Sequence, residues 1–152
     1  MIITFAGHSF ISSKDKIKKI VKEQMRNNIK DSTSVTCYLG GYGDFDALCA
    51  NVCRELKQEF TFIEIVYVTP YISLSEQTKI KEMQKYGLYD ASIYPPIEST
   101  PPKFAILKRN EWMIEKADIV ITYVDRNFGG AFKSLQTAKR RKKKVINIFD
   151  LL

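Results

Sequence analysis

Short apolar runs rich in β-branched residues alternate along this chain with segments in which apolar residues recur at helical spacing. Five runs are predicted to be strands: Ile2–Ala6, Val35–Leu39, Phe62–Val68, Asp118–Val124 and Val145–Phe149. Each run is mostly apolar rather than alternating with polar residues, as is typical of parallel strands covered on both faces. Because helices separate the strands, right-handed crossovers predict an α/β three-layer sandwich with a mostly parallel sheet of five or six strands.

The intervening segments predict five helices. Their expected spans are Lys14–Asn28, a helix carrying Phe45 to Leu56, Ser73 to about Tyr86, Phe104–Lys116 and Ala131–Lys143. Ser12 with Asp15, and Ser73 with Glu76, have the spacing of helix-capping boxes. The proline-containing stretch Tyr89–Lys103 predicts an irregular excursion with a short strand near Ala91–Tyr94.

The length of 152 residues favours one domain spanning residues 1–152. The longest apolar stretches are far shorter than the roughly 18 residues of a membrane helix, and the N-terminus has no basic segment of the kind that begins a signal peptide. The three cysteines, an odd number, are Cys37, Cys49 and Cys53. Free thiols of this kind favour a reducing, cytoplasmic location.

Charge is concentrated at one place. Of the 24 Lys and Arg residues, which leave a net charge of +7, six lie in the run Lys139–Lys144, and the rest of the chain is close to neutral. Nucleic-acid binding is therefore not expected, because it favours basic residues spread over a face. The run suits a helix C-terminus, with an oligomer interface or a polyanion-binding patch as alternatives. With His8 as the only histidine, the ligand count favours no metal site.

Ligands of open α/β sheets bind at the carboxyl ends of the strands, so four loops are candidates for a site. These loops are Gly7–Phe10, Gly40–Asp46, Thr69–Tyr71 and Asp125–Gly130. His8 suits three roles: a hydrogen-bond donor to a phosphate, a general base, or a structural residue of its loop. Arg109 suits either a buried pair with a carboxylate or a clamp on a ligand, with Asn110 beside it.

Two of these loops contain glycines between a strand and a helix. Gly40-Gly41-Tyr42-Gly43 permits close approach to a phosphate at the following helix N-terminus, or forms a tight turn capped by Asp44 or Asp46. Both carboxylates would repel a phosphate and suit capping or ribose hydroxyls. The second loop combines Arg126 with Gly129 and Gly130, and Lys133 and Ser134 follow in the first turns of the next helix.

These strings together resemble the YpsA-type branch of the SLOG superfamily, which unites Smf/DprA and LOG-like proteins. The resemblance rests on residues 40–46, Arg54–Lys57, Arg109-Asn110-x-Trp112-Met113, Ala117-Asp118 and Gly129-Gly130-Ala131-x-Lys133-Ser134. It implies a Rossmann-like domain that binds nucleotides or their derivatives, often as a homo-oligomer and without a further cofactor. Some relatives sense cyclic ADP-ribose-type signals in bacterial antiphage defence, and some small viral proteins are thought to sequester them.

The resemblance also implies an enzymatic alternative, because LOG phosphoribohydrolases cleave a base–ribose bond. Those enzymes carry Pro-Gly-Gly-x-Gly-Thr-x-x-Glu, where this chain has Leu39, Asp44 and Ala47 in place of Pro, Thr and the catalytic Glu. Asp46 lies one residue away, which rotates it by about 100° on a helix. Glycosidic cleavage normally needs a well-placed carboxylate, so the departures favour a binding protein over an N-glycosidase.

The favoured hypothesis is a stand-alone sensor or sequestering protein for a phosphorylated, ribose-containing small molecule. The alternative is a nucleoside monophosphate N-glycosidase using Asp44, Asp46 and Arg109. The candidate ligand-binding residues are Gly7, His8, Ser9, Phe10, Gly40, Gly41, Tyr42, Gly43, Asp44, Asp46, Thr69, Pro70, Arg109, Asn110, Arg126, Gly129, Gly130, Lys133 and Ser134.

Overall fold

A computed structural model describes all residues from Met1 to Leu152. The strands are β1 (Ile2–Gly7), β2 (Val35–Leu39), β3 (Ile63–Val68), β4 (Ala91–Ile93), β5 (Ile119–Tyr123) and β6 (Lys144–Asn147). The helices are α1 (Lys14–Ile29), α2 (Gly43–Glu59), α3 (Leu74–Lys85), α4 (Ala105–Lys116) and α5 (Gly130–Arg140). Short 3₁₀ helices occupy Pro102–Phe104 and Ile148–Leu151.

The six strands form one sheet in the order β4-β3-β2-β1-β5-β6, and every neighbouring pair is parallel. The predicted Rossmann-like α/β sandwich is therefore confirmed, with six strands and no antiparallel member. From β1 the chain builds outward through β2, β3 and β4, then returns to the other side of β1 to form β5 and β6. The point where the order reverses, between the carboxyl ends of β1 and β5, is where such sheets open a crevice.

The helices cover both faces of the sheet. α1 and α2 pack together on one face, and α4 and α5 pack together on the other. Ile17, Val21, Met25 and Ile29 recur along α1 at helical spacing and are fully buried in the larger core cluster. The opposite face has two smaller clusters, one around Met113 and one around Ile114. α3 buries only Ile80, so it packs peripherally.

Several predicted boundaries need correction. The Ser12–Asp15 capping box is wrong, because Ser13 precedes α1 in a left-handed conformation and its side chain makes no capping bond. The Ser73–Glu76 prediction is confirmed on one side, since the Glu76 amide donates to Ser73 Oγ at 3.3 Å. The Glu76 carboxylate instead accepts from the Tyr67 hydroxyl at 2.9 Å.

The end of the chain also differs from prediction. α5 ends at Arg140, three residues short of Lys143, because Lys142 takes a positive φ of 58°. β6 then begins at Lys144, and its predicted continuation to Phe149 is replaced by the 3₁₀ turn. None of the helices has the length and apolar character needed to cross a bilayer.

Candidate functional site

A cavity of about 390 Å³ opens at the carboxyl ends of β1 and β5, where the strand order reverses. Its floor is the end of β1, and its walls come from the loop after β1, from α4 and from the start of α5. The lining residues are Thr4, Phe5, Ala6, Gly7, His8, Ser9, Phe10, Tyr42, Asp46, Ile106, Arg109, Asn110, Met113, Ile114, Arg126, Phe128, Gly129, Gly130, Ala131 and Ser134.

The structure brings most of the sequence-predicted site residues to this cavity. Those that line it are Gly7, His8, Ser9, Phe10, Tyr42, Asp46, Arg109, Asn110, Arg126, Gly129, Gly130 and Ser134. Those that do not are Gly40, Gly41, Gly43, Asp44, Thr69, Pro70 and Lys133. The second set belongs mainly to the loops after β2 and β3, which lie one and two strands from the crevice.

The glycines after β2 are packed against other parts of the protein. A Cβ on Gly40 would lie 2.8 Å from the Arg109 guanidinium carbon, and one on Gly41 would lie 2.5 Å from the Tyr67 ring. A Cβ on Gly43 would lie 2.7 Å from Ser9 Cα. Gly41 and Gly43 also have positive φ angles of 69° and 88°. These glycines therefore permit close internal packing and do not face open space.

The amides at the start of α2 are occupied as well. The Asp44 amide donates to the Ser9 carbonyl at 2.9 Å, and the Phe45 amide donates to the His8 carbonyl at 3.4 Å. The Tyr42 amide donates to Asp46 Oδ2 at 3.2 Å. The expectation that this N-terminus offers free donors to a phosphate is therefore wrong for these amides. The alternative, a tight turn capped by Asp44 or Asp46, is confirmed only for the turn, because the N-cap residue is Tyr42 and no side chain caps α2.

The start of α5 is open by contrast. A Cβ on Gly129 or Gly130 would meet no atom within 4 Å, and both residues line the cavity. The first intrahelical bond runs from the Lys133 amide to the Gly129 carbonyl at 3.1 Å. The amides of the three preceding helical residues therefore lack helical acceptors, as at any helix N-terminus, and they carry its partial positive charge.

Arg109 crosses the cavity wall from α4 and is only 3% exposed. Its Nη1 donates to the carbonyls of Gly40 and Val68, both at 2.9 Å, and its Nε donates to Asn110 Oδ1 at 2.8 Å. Burial lowers the pKa of this guanidinium, and the negative charge of Asp46 opposes that shift. Arg109 forms no ion pair with a carboxylate, so the predicted Arg–carboxylate pair is replaced by an anchor for the ends of β2 and β3.

Asp46 is the acidic side chain among the cavity-lining residues. Burial raises the pKa of Asp46 to about 6. The hydrogen bond from the Tyr42 amide and the positive charge of Arg109 favour the charged carboxylate and so oppose this rise. Asp44 lies outside the cavity, where its Oδ2 accepts from the Ile11 amide at 3.2 Å and pairs with Lys14 Nζ at 3.4 Å. Of the two predicted carboxylates, only Asp46 can contact a molecule in the cavity.

His8 lies at the end of β1 and is 8% exposed. Its Nε2 accepts from the Asp125 amide at 3.2 Å and lies 2.9 Å from Asp125 Oδ1. Burial, helped by the charge of Arg126, lowers the His8 pKa from its ordinary value, and the neighbouring Asp125 carboxylate opposes that shift.

A family model for YpsA, described as the YspA SLOG family, matches residues 11–150. The chain belongs to the YpsA family of SLOG proteins. A UPF0398 protein of Bacillus velezensis is 27% identical over 135 residues, which cover 84% of this chain and 72% of that protein.

The fold is also similar to that of DNA processing protein A (DprA) of Streptococcus pneumoniae. The two superpose with a TM-score of 0.62 at 15% sequence identity, over 94% of this chain and 48% of the DprA chain. At this identity the likeness concerns the fold, and the SLOG domain described here spans about half of that longer protein.

Sequence reasoning missed eight residues that line the cavity of this SLOG domain: Thr4, Phe5, Ala6, Ile106, Met113, Ile114, Phe128 and Ala131. Most are apolar, and nothing in the sequence separates them from core residues. Phe128 and Ala131 are exceptions, because they flank the Gly129-Gly130 pair that was singled out. His, Cys, Asp and Glu side chains form no group of three or more that could hold a metal ion.

Proposed function

We propose that this SLOG domain binds a phosphorylated, ribose-containing small molecule in the cavity between β1 and β5. The observation that carries the proposal is the N-terminus of α5, whose backbone faces the cavity at Gly129 and Gly130 without a covering side chain. A helix start of this kind favours an anion such as a phosphate.

The other polar groups of the cavity support the same ligand class. Arg109 and Arg126 bring positive charge to the lining, and the His8 ring adds a polar group. Asp46 and Asn110 add acceptors of the kind that ribose hydroxyls use. The ligand we favour is a nucleotide-derived signal of the ADP-ribose or cyclic type, held as a sensor or by sequestration. Homo-oligomer formation and a cytoplasmic location are part of this proposal.

The test begins with protein purified from cells that produce nucleotide signals. Denaturation should release an intact nucleotide in near-stoichiometric amount, identified by mass spectrometry. Gly130→Val places a branched side chain over the start of α5 and should abolish this recovery. Gln136→Val is the matched control, because it adds the same side chain to an exposed position on the same helix. Equal recovery from both variants would contradict a phosphate site at α5.

Asp46 favours a second candidate function, N-glycosidic cleavage of a nucleoside monophosphate. A cavity carboxyl with a pKa of about 6 has the protonation behaviour that general acid–base catalysis uses near neutral pH. Incubation of the native protein with nucleoside monophosphates would then release free base, and Asp46→Asn would abolish the release. Intact nucleotide recovered after long incubation would exclude this function and leave the binding function standing.

A further inference from the structure

The mouth of the cavity has three exposed aromatic side chains. Phe10 is 82% exposed, Tyr42 is 68% exposed and Phe128 is 66% exposed, and all three line the cavity. They come from three separate loops, after β1, β2 and β5. We call Phe10, Tyr42 and Phe128 the aromatic rim. Exposed aromatic rings at the mouth of a cavity leave apolar area in water, which a planar apolar group would cover.

The exposure of Phe10 does not come from a loose loop. On one side of Phe10, the Ser9 carbonyl accepts from the Asp44 amide at 2.9 Å. On the other side, the Ile11 amide donates to Asp44 Oδ2 at 3.2 Å. Asp44 therefore holds the backbone both before and after Phe10, and the ring stands in solvent on a fixed support. Fixing a contact residue before binding lowers the entropic cost of binding.

Phe128 is placed beside the proposed phosphate site. It immediately precedes Gly129, whose φ of 92° turns the chain into α5. The guanidinium carbon of Arg126 lies 5.9 Å from the centre of the Phe128 ring. An aromatic surface and anion-binding groups therefore sit within a few residues of each other, and a nucleotide presents both matching chemistries in one molecule.

We propose that the aromatic rim stacks against the planar base of a nucleotide whose phosphate lies at the start of α5. This inference rests on the proposed function and assigns the side chains that contact the base of its nucleotide-derived ligand. A second protein surface is the competing occupant of the rim. The base is favoured because the rim borders the cavity that holds Arg109 and His8, whereas apolar residues such as Leu74 are exposed away from it.

The test compares binding of AMP, ADP-ribose and ribose 5-phosphate by calorimetry. Loss of one stacked base typically lowers affinity about 5- to 150-fold, so AMP should bind more tightly than ribose 5-phosphate by a factor in this range. Phe10→Ala and Phe128→Ala should each lower AMP affinity toward that of ribose 5-phosphate, while ribose 5-phosphate affinity stays unchanged. Phe10→Trp should retain AMP binding. Tyr86→Ala is the control, because Tyr86 is as exposed as Tyr42 but lies outside the cavity.

The other outcomes each overturn a different statement. Equal affinity for AMP and ribose 5-phosphate, with no effect of the Phe variants, would overturn the aromatic rim and leave the proposed function intact. Binding of none of the three probes would overturn the proposed function and the rim with it. Light scattering on the same variants measures their oligomeric state and so tests whether a second protein surface occupies the aromatic rim. If Phe10→Ala or Phe128→Ala separates an oligomer without changing AMP affinity, the rim is a protein interface.

Discussion

The two glycine loops of this domain, one after β2 and one before α5, look alike in sequence but have different surroundings in the structure. After β2, Gly40, Gly41 and Gly43 are each approached within 2.8 Å of where a Cβ would stand, by Arg109, Tyr67 and Ser9 respectively. Before α5, Gly129 and Gly130 have no atom within 4 Å of that position. The first loop is a packing device, and the second leaves its backbone open to the cavity.

The difference extends to the helix that follows each loop. At α2, the carbonyls of His8 and Ser9 accept from the first amides, so the helix start is joined to the loop after β1. At α5, no such carbonyls stand before the helix. A glycine pair between a strand and a helix therefore does not by itself indicate an anion site. The amides at the helix start must also be free of hydrogen bonds to carbonyls of a neighbouring loop.

The largest expected effect is a difference in protein stability between glycine substitutions in the two loops. Gly43→Ala should lower the free energy of unfolding by about 3–5 kcal/mol, because Gly43 has a positive φ and its new Cβ would press on the Ser9 backbone. Gly130→Ala should change stability by less than about 1 kcal/mol, because nothing stands near its Cβ. Urea unfolding of both variants measures the contrast. Similar losses in both would show that the two loops are packed alike.

Arg109 connects the two regions, since it anchors the first loop from a wall of the cavity. Arg109→Met should cost about 2–3 kcal/mol of stability, because the Gly40 and Val68 carbonyls lose their donor in a buried place. Lys108→Met is the control, since Lys108 is an exposed neighbour on the same helix whose partner is Glu111. Urea unfolding of the two variants gives the difference. Unchanged stability in Arg109→Met would mean that Arg109 does not hold the first loop and is free for a ligand.

The fold was predictable from sequence because the parallel sheet leaves a strong local signal. Apolar runs such as Val35–Leu39, buried on both faces, and helices such as α1, with one buried face, need no long-range information. The boundaries that failed depend on single residues, such as Lys142 with its positive φ.

The site was predictable only as a set of loops. Sequence placed Gly40 and Gly129 in equivalent contexts, and the distinction between them comes from Arg109, which is 69 residues from Gly40 in the chain. Likewise, nothing local distinguishes Ile106, which lines the cavity, from its neighbour Leu107, which does not. Contacts between distant segments decide which loops form the cavity, and a single sequence does not record them.

Substitution of Asp46 has the smallest expected effect on stability, and it tests the place where the first glycine loop meets the cavity. Asp46 lies in the first turn of α2, the helix that follows the first glycine loop, yet its carboxyl lines the cavity. Its pKa is raised from 3.8 to about 6 by burial, so the folded protein holds this proton over a pH range in which the unfolded chain has released it. The stability that this proton contributes is present below pH 3.8 and is lost as the pH rises through about 6.

At neutral pH the charged Asp46 therefore costs stability. Asp46→Asn keeps an oxygen for the Tyr42 amide and removes the charge, so it should raise stability at pH 7.5 by about 1–2 kcal/mol, a value reduced from the full shift because the carboxyl is partly exposed. The difference in melting temperature between variant and parent should shrink as the pH falls from 7.5 to 4. Other titrating groups are common to both proteins and cancel in this difference. A constant difference across the range would mean that Asp46 keeps its ordinary pKa, and its carboxyl would then belong to the solvated first loop rather than to the cavity.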